Sequence, residues 1–87
     1  MNDKDVSGGT VKIQFDLPAD RAREVEEMMK LTGVTSRKDL FNNALTLLEW
    51  AIGEIYKGNT ITSVDEKNKI FRELVMPILS NVAKATR

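Results

Sequence analysis

The chain has no cysteine and no histidine. Without cysteine no disulfide can brace the fold, and no thiolate is available as a nucleophile or metal ligand. Without histidine, imidazole acid–base catalysis, imidazole metal ligation and a histidine pH switch are excluded. With both missing, no zinc or other metal site and no cofactor is expected, and there is no glycine-rich phosphate loop. The carboxylates are spread along polar helix faces, so the chain is not expected to be an enzyme. No apolar run approaches the roughly 20 residues of a membrane span. Residues 1–10 are polar and lack a secretory-type apolar core, so a cytoplasmic protein without membrane association is expected. Neither sign of charge dominates: 13 basic and 13 acidic residues give a formal net charge of zero. That balance argues against a non-specific coat on nucleic acid, but it is compatible with a site-specific binder whose few cations are well placed.

Eighty-seven residues suffice for one small domain with a core that is marginal alone. With disulfides and metals excluded, oligomerisation is the remaining common brace.

Residues 1–9 read as a flexible polar arm. In Val11-Lys12-Ile13-Gln14-Phe15-Asp16-Leu17, apolar and polar residues alternate without a break. Period two predicts a strand with Val11, Ile13, Phe15 and Leu17 on its dry face and Lys12, Gln14 and Asp16 on its wet one. Pro18 cannot donate to a ladder and suits a helix start, so it closes the strand. A first helix is predicted from about Ala19 to Thr32, with Ala22, Val25, Met28 and Met29 facing a core and the methionines as filler. Gly33 supplies its left-handed terminator.

A second helix is predicted from Thr35 or Ser36 to about Tyr56, with Ser36 and Asp39 forming a short capping box. Leu40, Ala44, Leu47, Leu48, Ala51 and Ile55 make one apolar stripe, and Phe41, Leu45 and Ile52 widen it. Trp50 and Tyr56 read as packing residues. Gly58 and Asn59 end the helix. The spacing of Ser63 and Glu66 fits a capping box, which predicts a third helix to about Val75 with Ile70, Phe71, Leu74 and Val75 inward. Thr60 to Thr62 reads as a short extended piece, Pro77 as a stop or kink, and Ile78, Leu79 and Val82 as a last short helical turn or two.

One strand in a mostly helical chain leaves backbone N–H and C=O groups without partners. A helix apolar round so much of its girth needs more than one neighbour. Both features predict a homodimer in which the same strand of two copies pairs.

The order strand, proline, helix, Gly-containing turn, hydroxyl cap, helix resembles the ribbon-helix-helix family of the Arc/MetJ type over residues 10–57. The features that carry it are VKIQFDLP, the amphipathic helix and Thr32-Gly33-Val34-Thr35-Ser36-Arg37-Lys38-Asp39-Leu40. The resemblance implies an intertwined homodimer with an antiparallel two-stranded ribbon that enters the major groove of double-stranded DNA. Its core would include Ile13, Phe15, Leu40, Ala44, Leu47 and Leu48. The implied function is a sequence-specific transcription regulator, a repressor. By resemblance Lys12, Gln14 and Asp16 occupy the base-reading positions. Chemically, lysine can donate to guanine, glutamine can pair with adenine, and aspartate can accept from cytosine N4. Also by resemblance, Thr35, Ser36, Arg37 and Lys38 would clamp phosphates, where a helix N-terminus presents free N–H groups and positive potential.

Two features oppose DNA binding. Asp16 is negative on the face that would approach DNA, and the first helix is net acidic. They support an alternative, a dimer that acts as a protein-interaction module of the antitoxin or adaptor kind. Residues 58–87 are too apolar for a loose tail and form a C-terminal extension suited to a protein partner.

Overall fold

The computed structural model describes residues 9–85, and the chain divides after Gly33 into two units. The arm expected over residues 1–9 lies outside the described residues apart from Gly9.

The first unit contains one helix, α1 (Ala19–Thr32). Pro18 is its N-cap: the backbone is non-helical there, and the Pro18 carbonyl accepts from the Ala22 N–H at 2.9 Å. Asp20 in the first turn and Lys30 in the last complement the helix dipole. Exposed pairs Asp20–Arg23 and Arg21–Glu24 dress its surface, and pairs of this kind contribute little. Gly33 adopts φ 74° and donates to the Met29 carbonyl, the left-handed stop anticipated from sequence. Of the predicted inward face, Val25 is buried and Met29 half-buried, whereas Ala22 and Met28 are exposed.

The N-terminal strand is corrected. Residues 11–17 carry neither helix nor strand, and the one sheet among the described residues follows the second helix. A strand exists through its ladder, and no ladder among the described residues includes this segment.

In the second unit, α2 (Arg37–Tyr56) runs for 20 residues. It ends in a Schellman motif: Gly58, at φ 89°, donates to the Ile55 carbonyl and Asn59 to that of Glu54. The Glu54 carboxylate holds this end, accepting from Lys57 Nζ and Asn59 Nδ2, each at 3.2 Å. Those two hydrogen bonds, first Lys57 and then Asn59, draw its pKa below the ordinary value.

The predicted third helix is also corrected. Residues 63–75 do not form a helix but lie largely in a hairpin of β1 (Thr62–Asp65) and β2 (Ile70–Glu73), paired antiparallel from Thr62↔Glu73 to Asp65↔Ile70. Ser63 caps no helix. Asp65 instead organises the turn, its carboxylate accepting from the backbone N–H and side-chain amide of Asn68. Those bonds lower the Asp65 pKa. Lys69 closes the loop at φ 59°. Ile61, Thr62 and Val64 are β-branched and Phe71 is aromatic, all suited to strands.

Pro77 opens a helix rather than stopping one: α3 (Pro77–Ala85) takes it as first residue, where its missing N–H costs nothing. This helix packs on α2, and Ala51 and Leu79 are the buried residues of the unit.

Candidate nucleic-acid interface

Lys12, Gln14 and Asp16 are all exposed and lie in the first unit, just before α1. The intervening apolar residues are exposed as well: Ile13 by 71% and Phe15 by 59%. Of the face expected to be dry, Val11 is half-buried and Ile13, Phe15 and Leu17 are exposed to differing degrees in the single chain. Asp16 forms no hydrogen bond or ion pair among the described residues. The nearby Arg21 pairs with Glu24 at 3.4 Å.

The phosphate-clamp candidates lie in the second unit, at the start of α2. Ser36 is the N-cap, with extended backbone (φ −133°, ψ 148°), and its Oγ accepts from the Asp39 N–H at 3.1 Å. That bond uses a lone pair of the hydroxyl and leaves its proton able to donate. The Ser36 carbonyl accepts from the Leu40 N–H. Thr35, Arg37 and Lys38 are exposed and Ser36 is half-buried. Amides in a first helical turn have no intrahelical acceptor, so this end offers N–H donors, a hydroxyl and the Lys38 ammonium to an anion. Asp39 in the same turn opposes that field.

Of the residues expected in a dimer core, Leu40 and Leu48 are half-buried, while Ile13, Phe15, Ala44 and Leu47 are exposed in the single chain. No group of three or more acidic, histidine or cysteine side chains suited to a metal occurs among the described residues, and none of their helices is long and apolar enough to cross a membrane.

The hairpin adds residues that sequence reasoning did not assign to any surface, notably Phe71 between Lys69 and Glu73. Compared with protein-family models, with curated proteins and with solved structures, the chain finds no match in any of the three.

Proposed function

We propose that the chain is a homodimeric ribbon-helix-helix regulator that binds double-stranded DNA sequence-specifically and represses transcription by occupying its operator. The observation that carries this reading is the segment Val11–Leu17. Its apolar Ile13, Phe15 and Leu17 stay exposed, its polar residues alternate with them, and two helices joined by a short capped turn follow directly. Antiparallel pairing with a second copy would give the segment a ladder and cover the exposed parts of Ile13 and Phe15. It would also turn Lys12, Gln14 and Asp16 outward on a ribbon of the width the major groove admits. The start of α2 supplies phosphate contacts that set register.

A second reading, a dimer that serves as a protein-interaction module, is favoured by the exposed and unpaired Asp16 and by the ordered extension of hairpin and α3.

Selection of bound sequences from random DNA at two salt concentrations separates the two. The regulator predicts an enriched palindrome-like site and an affinity falling with salt at a log–log slope of about 0.9 per phosphate neutralised. Gln14→Ala should cost about 1–3 kcal/mol at one base position. Unchanged affinity in Lys12→Ala, Gln14→Ala and Arg37→Ala together would refute groove reading.

A further inference from the structure

One flank of α2, beside the stripe that holds buried Ala51, carries apolar residues in an order that matches its own reverse. At 100° per residue, Phe41, Leu45, Ile52 and Tyr56 fall within about 60° of one another round the helix. Lys38, at the N-terminal end, is the one polar residue of α2 on that flank. Leu45, Ile52 and Tyr56 are exposed and Phe41 is half-buried. The spacing is palindromic. Leu45 and Ile52 stand equally far on either side of the point between Leu48 and Glu49, and so do Phe41 and Tyr56. Among the described residues only Val25, Ala51 and Leu79 are buried, a small core for a chain whose size is already marginal alone.

We propose that this flank docks on the same flank of a second copy, the two α2 helices lying antiparallel about a two-fold axis level with the point between Leu48 and Glu49. Residues equally far from such an axis meet at one level. Leu45 then meets the partner's Ile52, Ile52 meets the partner's Leu45, and Tyr56 extends over the partner's Phe41. The palindrome is what assigns the occupant. A two-fold contact requires one patch to complement itself, whereas an unlike partner sets no such condition on the spacing. It also fixes the register: sliding the helices by about one turn sets Tyr56 level with the partner's Arg37, or Ile52 level with the partner's Glu49. A parallel pair would set Lys38 beside the partner's Lys38 and place the like ends of both helix dipoles together. Glu49 stands at the rim of the flank, near the axis, and approaches the partner's Glu49, so its replacement by a neutral residue should tighten the contact. This contact lies beside Leu40, Ala44, Leu47 and Leu48, not on them. The inference rests on the homodimer of the proposed function and names how α2 meets its copy; ribbon pairing and DNA binding do not enter it.

The chain lacks cysteine, so single-cysteine variants of the full protein, oxidised mildly at micromolar concentration without DNA, test the register directly. Helices packed about 8–10 Å apart bring facing residues at one level within disulfide reach. A mixture of Leu45→Cys and Ile52→Cys should therefore cross-link at least tenfold faster than either variant alone. In either alone, the two cysteines of a dimer lie seven residues apart along the helices, about 10 Å, which is beyond reach. Glu49→Cys, an exposed position, should cross-link by itself because its copies differ by about 1.5 Å in level. Asn42→Cys should not, since its copies lie about 20 Å apart. A mixture no faster than its components overturns the proposal, and so does fast cross-linking of Leu45→Cys alone, which marks a parallel pair. If circular dichroism shows the Leu45 or Ile52 variant unfolded, Glu49→Cys decides: cross-linking no faster than that of Asn42→Cys overturns the contact. Sedimentation of the unmodified chain separates this inference from the reading it rests on. A dimer without the cross-linking pattern overturns the α2 contact alone, and a monomer at micromolar concentration overturns the homodimer with it.

Discussion

Leu79→Ala tests how the C-terminal extension is held. Leu79 is 3% exposed, the most buried of the three buried apolar residues described, and with Ala51 it is one of two in its unit. Ala51 has little side chain to lose, so Leu79 is the main apolar anchor between α3 and α2. Removing a buried leucine forfeits the transfer free energy of the lost atoms plus a cavity term, about 2–5 kcal/mol in total. The lower half of that range is expected, because Leu79 borders an open groove with Ile55, Leu74 and Ala83, where water can fill part of the void. At nine residues α3 is shorter than the roughly 12–15 residues at which an isolated helix becomes even marginal in water. A loss of about 2–3 kcal/mol should therefore undock α3 while α2 persists. The assay is residue-resolved hydrogen exchange with far-UV circular dichroism: protection should vanish over 77–85 and remain over the middle of α2. Unchanged protection of α3 with a stability loss below about 1 kcal/mol would refute the assignment of Leu79 as its anchor.

Ser36→Ala removes the acceptor of the Asp39 N–H and should cost about 1 kcal/mol, with Ser36→Asp retaining most of it; denaturant titration of the two variants checks the difference. The Glu54 pKa is depressed in the folded chain by Lys57 and Asn59, so its contribution is present above the unfolded value and is lost as pH falls through the lower folded value. Carboxyl titration by nuclear magnetic resonance should find Glu54 below 4.5, with the Gly58 and Asn59 amides losing protection as it protonates; a value at or above 4.5 contradicts the bonding described.

The helices were legible because their signals are local. Gly33 and Ser36 are end markers that work through their own backbone and hydroxyl, and α1 and α2 fall within a residue or two of expectation. The hairpin was not, because four-residue strands carry too little periodicity to outweigh the Ser63–Glu66 spacing. Ile70, Phe71, Leu74 and Val75 also fit a helical stripe. The decisive interaction, Asp65 binding Asn68 across the turn, belongs to turn chemistry that the same polar residues conceal. For Val11–Leu17 the alternation defined two faces but no ladder, since pairing is a property of two segments. In the candidate site, the exposure of Lys12, Gln14 and Asp16 and the capping by Ser36 followed from residue type. What those groups meet depends on a second molecule.

The extension does not remove the need for such a molecule in the proposed dimer. At 100° per residue, Ile52, Leu45 and Tyr56 lie about 100–140° round the α2 axis from buried Ala51. They stay 39%, 62% and 69% exposed. Covering them would contribute about 3–5 kcal/mol per copy. Covering Ile13, Phe15 and Leu17 on a paired ribbon would add a similar amount. Association itself costs about 4–15 kcal/mol. The α2 flank of two copies therefore roughly offsets that cost and leaves little surplus, and so does the ribbon taken alone. Only both together leave a surplus, about 6 kcal/mol at the middle of these ranges. In the proposed dimer, ribbon pairing and α2 packing must accordingly form as one event. A substitution such as Leu45→Glu, far from the ribbon in sequence, should then abolish DNA binding by dissolving the surface that reads it.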